Sequence, residues 1–240
     1  MGSFSFKQFS VSQTKSSMKV NTDGVLLGAW AKIRPLDKTI LDIGTGTGVI
    51  ALMMAQRAPE ALITAVEIDE ESSIEAEMNF STSKWANRLK IENYSIQEFA
   101  KTNQSSKFDL IITNPPYFDQ SLKSNKERKS IARHSDCGLT FSQLVKCCSQ
   151  LLSENGRFCV VIPYLEMERM IEEAVKAHLY LTRKTNVRTT KTKQFKRVLL
   201  EFNNNQSCKL EENTITIHAD RADSFSDEYK EILKDFYLAF

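Results

Sequence analysis

A cluster of three glycines carries the first chemistry that the sequence offers. Gly44, Gly46 and Gly48 follow an apolar run in the spacing G-x-G-x-G, and Asp42 stands just before them. Glycine lets the backbone turn tightly and approach a ligand that a Cβ would exclude. A carboxylate at this place would repel a pyrophosphate, whereas it attracts an ammonium group. The segment therefore favours a cationic ligand such as S-adenosylmethionine over a dinucleotide.

Glu67 is the second chemical signal, because it stands near the end of the next predicted strand, 62–68. In nucleotide-binding α/β folds an acid at this place hydrogen-bonds ribose hydroxyls. Taken alone, the glycine cluster could be a tight turn and Glu67 a solvated charge. Their order and spacing together indicate a nucleotide site.

The segment Asn114-Pro115-Pro116-Tyr117 is the most specific feature of the chain. It ends an apolar strand, and its two prolines remove two N–H donors and hold the backbone extended. The Asn114 side chain and the Pro115 carbonyl can then present acceptors to one amino group, while Tyr117 offers a ring for stacking. The alternative is an Asn-Pro turn with a surface tyrosine. The position of the segment downstream of the glycines and Glu67 favours the functional interpretation.

Fixed acceptors around a planar nitrogen are suited to methyl transfer. The lone pair of an exocyclic amine or amide is delocalised, so the nitrogen is a poor nucleophile. Hydrogen bonds from its N–H groups to fixed acceptors favour the pyramidal, nucleophilic form as the methyl group arrives. The nitrogen must also lie in line with that methyl group. We therefore predict catalytic roles for Asn114, Pro115, Pro116 and Tyr117.

Hydrophobic patterning predicts the scaffold that positions these segments. From residue 39 the chain alternates short β-rich runs with stretches of helical period. This alternation predicts a parallel sheet covered by helices, with the ligand at the carboxyl ends of the strands. The predicted strands are 39–43, 62–68, 90–94, 108–113 and 158–162, and the predicted helices are 49–57, 70–79, 165–177 and one opening at the capping box of Thr140.

The last third of the chain has a different pattern, because its β-rich runs lack clear intervening helices. This predicts an antiparallel hairpin at one edge of the sheet, followed by a final helix. The candidate strands are 179–187, 198–202 and 214–217, and the helix begins at Asp227.

The composition is that of an ordinary globular protein. The 240 residues carry 32 Lys+Arg and 30 Asp+Glu, for a formal net charge of +2, and 41% are hydrophobic. No stretch approaches the roughly 18 apolar residues of a membrane span, and the N-terminus lacks the pattern of a secretory signal. Five cysteines without a C-x-x-C pair and three dispersed histidines supply no zinc site. We expect a single cytoplasmic domain without a metal or a membrane partner.

With these motifs in this order, the sequence resembles the class I S-adenosylmethionine-dependent methyltransferases that carry an Asn-Pro-Pro-Tyr motif and act on planar nitrogens. It is most similar to the bacterial tRNA1(Val) (adenine-6-amino) methyltransferases over nearly the whole chain. The likeness includes the segment 18–30, where Asn21 replaces the usual glycine, and the segments 198–202 and 235–238. The resemblance implies a Rossmann-like fold with a mostly parallel seven-stranded sheet, an antiparallel edge strand and helices on both faces.

The resemblance also implies an activity: direct in-line methylation of the 6-amino group of an adenine in tRNA, adenine 37 of tRNA1(Val). It implies a capping segment over 1–35, a core over 36–203 and a C-terminal strand and helix over 204–240. Ser95 stands where relatives commonly place an aspartate against the adenine of the cofactor, so its hydroxyl or a backbone amide would substitute. The expected cofactor-binding residues are Thr22, Asp23, Asp42, Gly44, Thr45, Gly46, Gly48, Glu67, Ile68, Ser95, Ile96 and Asn114.

Two stretches of the chain concentrate positive charge. Seven basic residues and no acid lie between positions 183 and 197, and five basic residues with one acid lie between 123 and 133. A charge run is usually a solvated face, but two runs near the rim of the site suit phosphate contacts. The predicted RNA contacts are Lys126, Arg128, Arg133, His134, Arg188, Lys191, Lys193 and Lys196.

The sequence leaves two other functions open. A protein-glutamine methyltransferase of the release-factor type would share the motif, but such enzymes usually carry a helical substrate domain before the glycine cluster, and here 43 residues precede it. A non-catalytic RNA-binding module on the same fold would show RNA affinity without binding the cofactor. The expected partner is tRNA, and a monomer is favoured.

Overall fold

The computed structural model describes residues 2–16, 18–116, 138–219 and 224–240. Five predicted site residues lie outside the described residues: Tyr117, Lys126, Arg128, Arg133 and His134. The strands are β1 (Ser3–Ser5), β2 (Ser10–Ser12), β3 (Thr39–Ile43), β4 (Leu62–Val66), β5 (Leu89–Glu92), β6 (Phe108–Thr113), β7 (Leu152–Pro163), β8 (Tyr180–Arg188), β9 (Arg197–Asn203) and β10 (Glu211–Thr216). The helices are α1 (Thr22–Trp30), α2 (Val49–Arg57), α3 (Glu70–Ser81), α4 (Ile96–Thr102), α5 (Phe141–Leu151), α6 (Met167–Lys176) and α7 (Asp227–Leu233).

The main sheet has the order β10-β8-β9-β7-β6-β3-β4-β5. Its neighbouring strands run parallel except around β9, which is antiparallel to both β7 and β8. The chain leaves β3 toward β4 and β5 on one side and returns to β6 and β7 on the other. In such sheets a crevice for ligands forms where the order reverses, outside the carboxyl ends of the strands. That point lies between β3 and β6.

The predicted Rossmann-like class is confirmed, and two details of the prediction are corrected. The sheet in the described residues has eight strands rather than seven, and its antiparallel strand is internal rather than at the edge. The β9 residues Val198, Leu199, Leu200 and Phe202 are buried on both faces of the sheet. The side chains of this strand reach the apolar clusters on both faces of the sheet, as is usual for an interior strand; β9 lies between β7 and β8, and β10 forms the edge.

Helices cover both faces of the sheet, as the patterning predicts. Successive β3 residues alternate between two apolar clusters, with Ile40 in the cluster beneath α1, α2 and α7, and Leu41 in the cluster beneath α4, α5 and α6. This alternation is the period of two expected for a strand covered on each side. In the described ranges no helix is both long enough and apolar enough to cross a membrane.

The N-terminal segment, which includes β1 and β2, is tied to α3 by one buried carboxylate. Glu75 accepts hydrogen bonds from the backbone N–H groups of Thr14, Lys15 and Ser16 at 2.6, 3.1 and 2.8 Å. Burial raises the pKa of Glu75, but these donors outweigh it and lower the pKa to about 2. A charged acceptor thus holds the chain that leads over the glycine cluster.

Candidate active site

Two strand ends bring the glycine cluster and Asn114 together. Ile43, the last residue of β3, pairs in register with Thr113, the last residue of β6. The Thr113 hydroxyl also donates a hydrogen bond to the Ile43 carbonyl at 2.7 Å. Gly44 and Asn114 are the next residues of each strand. They therefore emerge side by side at the carboxyl edge of the sheet.

The glycine loop takes a backbone path that depends on glycine. Gly44, Gly46 and Gly48 have φ values of +67°, +55° and +82°, a region in which L-residues with a Cβ are strained. Gly48 also begins α2, and a Cβ there would lie 2.5 Å from Cε1 of Phe80. The loop is therefore shaped by local backbone chemistry as well as by packing.

Asp42 lies beneath this loop instead of facing a ligand directly. Its Oδ2 accepts hydrogen bonds from the Thr45 hydroxyl at 2.6 Å and from the backbone N–H of Ala51 at 3.1 Å. Burial raises the pKa of Asp42 to about 7, against the lowering effect of those two donors. Its Oδ1 is buried without a hydrogen-bond partner among the described residues. Asp42 thus braces the loop from inside.

Glu67 connects the loop to the end of β4. Its Oε2 accepts a hydrogen bond from the backbone N–H of Gly46 at 2.9 Å, and its Oε1 accepts one from the backbone N–H of Asp69 at 3.0 Å. The Gly44 N–H donates to the carbonyl of Val66 at 2.8 Å. Glu67 is only 8% exposed. The acid predicted to meet ribose hydroxyls is therefore held at the loop by two backbone donors.

Asn114 is nearly buried at the other side of the same opening. Its Nδ2 lies 3.4 Å from Oδ1 of Asn21 and 3.9 Å from Sδ of Met18. Asn21 also caps α1, because its Oδ1 accepts a hydrogen bond from the Gly24 N–H at 2.9 Å. The first turn of α1 therefore supports the Asn114 carboxamide.

A cavity of about 440 Å³ opens between these groups, and we call it the main cavity. Its apolar walls include the exposed side chains of Ile68 and Tyr94. Met18, Lys19, Asn21 and Gly24 line it from the N-terminal side. The structure brings nine predicted site residues to it: Gly44, Thr45, Gly46, Glu67, Ile68, Ser95, Ile96, Asn114 and Pro116.

Five other predicted residues lie close by without lining the main cavity. Asp42 is beneath the loop, Gly48 packs at the start of α2, and Pro115 is buried. Thr22 and Asp23 instead line a second cavity of about 420 Å³, which we call the rim cavity. This placement differs from the prediction because successive residues of a helix point about 100° apart, so that Asn21 and Asp23 face opposite sides of the α1 N-terminus.

Ser95 lines the main cavity but is also part of a helix cap. Its hydroxyl accepts a hydrogen bond from the Glu98 N–H at 3.2 Å and donates one to the Glu98 carboxylate at 2.6 Å. The backbone N–H of Ser95 also donates to the Glu98 carboxylate at 3.1 Å, and together with the bond from the Glu98 N–H this completes a capping box at the start of α4. The hydroxyl predicted to replace an aspartate toward the adenine of the cofactor is therefore engaged within the protein.

The basic run 183–197 separates into two parts in the structure. Lys191, Lys193 and Lys196 are exposed on the connection between β8 and β9, at the same edge of the sheet as Asn114. Arg183 is instead 5% exposed and pairs with Glu201 at 2.9 Å. Arg188 is half-buried and donates to the Thr216 hydroxyl at 3.0 Å.

The resemblance implies a capping segment over 1–35 with contacts at Thr22 and Asp23, but the N-terminal residues that line the main cavity are four others. Met18, Lys19, Asn21 and Gly24 were not singled out because α1 is apolar on most sides and shows no amphipathic period. One signal was available: an asparagine three residues before Gly24, in the position of a helix cap. In the described parts of the chain, no three His, Cys, Asp or Glu side chains are grouped as a metal site.

Comparisons with known proteins agree with this geometry. The family model of the methyltransferase small domain matches residues 23–191. The chain is 45% identical over 236 residues to the tRNA1(Val) (adenine(37)-N6)-methyltransferase of Flavobacterium psychrophilum, covering 98% of this chain and 99% of the relative. It is 44% identical over 237 residues to the protein of the same name from Bacteroides thetaiotaomicron, covering 98% and 97%.

Solved structures share the fold at low sequence identity. A predicted O-methyltransferase, protein Atu636 from Agrobacterium tumefaciens, matches with a TM-score of 0.70 and 16% identity, covering 89% of this chain and 96% of that one. The glycopeptide N-methyltransferase MtfA, complexed with S-adenosyl-L-methionine, matches with a TM-score of 0.56 and 10% identity, covering 78% and 90%.

The sheet order and the cavity at its reversal point are those of a Rossmann-like methyltransferase. The matched domain and the full-length relatives narrow this class further. The chain belongs to the family of the tRNA1(Val) (adenine(37)-N6)-methyltransferases.

Proposed function

We propose that this protein transfers a methyl group from S-adenosylmethionine to the 6-amino nitrogen of an adenine in tRNA, adenine 37 of tRNA1(Val). The observation that carries the proposal is the pairing of Ile43 with Thr113, which puts the glycine loop and Asn114 on one cavity. The names of the full-length relatives support the choice of substrate. A tRNA substrate also supports the proposal that the protein acts in the cytoplasm.

The main cavity fits the cofactor on three grounds. Its volume of about 440 Å³ lies within the range of roughly 300–1,000 Å³ of small-molecule sites. Positive φ at Gly44 and Gly46 leaves the loop without a Cβ toward the ligand, and no atom lies within 4 Å of where a Cβ of Gly44 would be. The carboxylate of Glu67 supplies negative potential for a cation. When bound, S-adenosylmethionine supplies an activated methyl group on its sulfonium.

The roles of the chain's own residues follow from this arrangement. Glu67 is placed to bind the ribose hydroxyls through the lone pairs that its two backbone donors leave unused, and Ile68 and Tyr94 offer apolar surface to the adenine of the cofactor. Ser95 and Ile96 frame the same end, and the Ser95 hydroxyl serves chiefly to cap α4. Asp42 and Thr45 hold the loop in its binding shape.

Asn114 and the Pro115 carbonyl are the acceptors for the substrate amino group in this proposal. Hydrogen bonds to them favour the pyramidal nitrogen as methyl transfer proceeds. Pro116 lines the cavity and keeps the backbone extended. Tyr117 is assigned the stacking of the base, which contributes ~1–3 kcal/mol for each base in single-stranded complexes.

The tRNA would approach across the exposed basic residues of the rim. Lys191, Lys193 and Lys196 are exposed there, and Arg188 lies behind them. Lys126, Arg128, Arg133 and His134 are assigned to the same role from the sequence. If about five of these cations contact phosphate, log affinity should fall against log salt with a slope near −3.5 to −4.5.

The test uses tRNA from cells that lack this enzyme and a radiolabelled methyl donor. We expect incorporation into N6-methyladenosine, mapped to position 37 of tRNA1(Val) by mass spectrometry of the digested RNA. Unmodified tRNA of another sequence is the matched control. Label on guanine, label on a protein glutamine, or no incorporation would overturn the proposal.

A further inference from the structure

The rim cavity lies beside the main cavity, on the other side of the α1 N-terminus. Asn21 lines the main cavity, whereas Thr22 and Asp23 line the rim cavity. Asn21 and Thr22 are consecutive residues with Cα atoms about 3.8 Å apart, so the two spaces lie on either side of the start of α1. Both open at the carboxyl ends of the parallel strands, since Arg188 ends β8 and Thr216 ends β10.

In the described part of the chain, three cations line the rim cavity: Arg188, Lys196 and Arg197. The Arg197 guanidinium is held in place, because its Nε donates to Oδ2 of Asp23 at 2.7 Å and its Nη1 donates to the Lys196 carbonyl at 3.0 Å. Among the residues that the structure describes, Asp23 is the one acid in the lining. This described lining therefore keeps a net positive charge with one arginine already oriented, a feature suited to a phosphate group.

Aromatic rings form another wall of the rim cavity. His218 stacks on Phe225 at 5.1 Å between ring centroids, and Phe225 stacks on Tyr229 at 5.2 Å. The His218 Nδ1 is buried without a hydrogen-bond partner among the described residues. Stacked rings next to fixed cations are the combination that binds single-stranded nucleotides, with the ring for the base and the cation for the phosphate.

We propose that the rim cavity binds a nucleotide adjacent to the target adenine in the same RNA strand. The inference rests on the proposed function, because the strand enters only if its adenine occupies the main cavity. One base lies against the rings of His218 and Phe225, and its phosphate contacts Arg197 and Lys196. Holding the neighbour in this way keeps the target base unstacked and aims its amino group at Asn114.

The experiment measures methylation of synthetic anticodon stem-loops by the full-length protein. Each RNA keeps the target adenine and carries an abasic site at the nucleotide on its 5′ or its 3′ side. For the unchanged protein, we expect one of the two abasic sites to lower kcat/KM by about 5- to 150-fold, the factor that corresponds to the loss of one stacked base. In His218→Ala the same abasic site should lower kcat/KM by less than about 2-fold, because the stacking partner is already absent.

Two lysines of one exposed connection provide matched variants that do not perturb the fold. Lys196 lines the rim cavity and Lys193 does not. An uncharged methylphosphonate in place of the phosphate of that neighbouring nucleotide should lower kcat/KM, and Lys196→Ala should reduce this loss, whereas Lys193→Ala should retain all of it. The melting temperature and the binding of S-adenosylhomocysteine show whether His218→Ala is folded and keeps its main cavity intact. If His218→Ala does not fold, the comparison of Lys196→Ala with Lys193→Ala tests the inference.

The outcomes separate this inference from the proposed function. Methylation of the intact stem-loop without a penalty at either abasic site would overturn the inference alone. So would a full abasic penalty retained in His218→Ala together with a full methylphosphonate penalty retained in Lys196→Ala. No methylation of the intact stem-loop or of tRNA would overturn the proposed function, and this inference with it.

Discussion

Asn21 and Asn114, which are 93 residues apart in the chain, meet with Oδ1 of the first 3.4 Å from Nδ2 of the second. The same Oδ1 accepts the hydrogen bond of the Gly24 N–H at 2.9 Å. A carboxamide has one donor end and one acceptor end. With its donor end toward Asn21, Asn114 turns its acceptor end away from Asn21, which is the orientation that the proposed contact with a substrate amino group requires. Asn21 is therefore a positioning residue for the proposed reaction.

Variants of Asn21 separate capping from positioning. Asn21→Ser should retain the helix cap but is too short to reach Asn114, so kcat should fall by about 10-fold or more. Asn21→Asp keeps an acceptor for both contacts and should retain most of kcat. Single-turnover methylation and the melting temperature are the measurements. Equal rates for the two variants at equal stability would remove Asn21 from this role.

Asn114→Ala should lower kcat by about 10²–10³-fold, the usual effect of losing one fixed transition-state hydrogen bond. Binding of S-adenosylhomocysteine, measured by calorimetry, should change little, because the glycine loop and Glu67 are intact. Asn114→Asp keeps an acceptor oxygen and should be more active than Asn114→Ala. An unchanged rate in Asn114→Ala would exclude Asn114 from the mechanism.

Asp42 should make stability depend on pH. Its pKa is raised to about 7 in the folded protein by burial, against about 3.9 in an unfolded chain. The folded state then binds the proton more tightly, so this contribution to stability is present at low pH and is lost as pH rises toward 7. Asp42→Asn has no such proton to lose. The free energy of unfolding of the variant minus that of the unchanged protein should therefore rise by ~1.4 kcal/mol for each pH unit between about 5 and 7.

Urea unfolding at several pH values measures this slope. Asp227→Asn, which changes a fully exposed carboxylate, is the control and should follow the unchanged protein. A pH-independent difference between Asp42→Asn and the unchanged protein would contradict the assignment.

Glu75 predicts the opposite pH dependence. Its pKa is lowered to about 2, so its contribution is present above the unfolded value and is lost as pH falls from about 4.5 to 2. Glu75→Gln replaces one accepting oxygen by a donor and should cost about 1–3 kcal/mol at neutral pH. Binding of S-adenosylhomocysteine should also weaken, because Met18 and Lys19 line the main cavity. Glu77→Gln, on the exposed side of the same helix, should change neither property.

Local patterns were enough to predict the core strands that carry the site. The apolar runs of β3 and β6 are continuous, and each ends at a turn whose chemistry is specific, glycines after Ile43 and prolines after Asn114. By contrast, α1 was not predicted, because residues such as Val25 and Leu27 are buried on several sides and leave no helical period to detect. A period is visible only when one face of a helix meets water.

The count of charges along the chain was less successful in predicting which basic residues are exposed. Arg183, Lys184 and Arg197 belong to an acid-free run, yet each pairs with an acid: Arg183 with Glu201, Lys184 with Glu212 and Arg197 with Asp23. These acids come from neighbouring strands and from α1, which are distant in sequence. Only the pairing of the strands shows which cations face the solvent.

The order of motifs along the chain determined by itself the class of fold, the kind of ligand and the residues at two strand ends, because backbone turns depend on neighbouring residues. Tertiary structure alone decided that Asn21 supports Asn114, that Thr22 and Asp23 line a separate space, and that Ser95 caps a helix. Those relationships depend on the direction in which each side chain leaves its element. Packing of the helices and strands fixes how each element is rotated about its axis, and that rotation decides which of the two cavities a side chain faces.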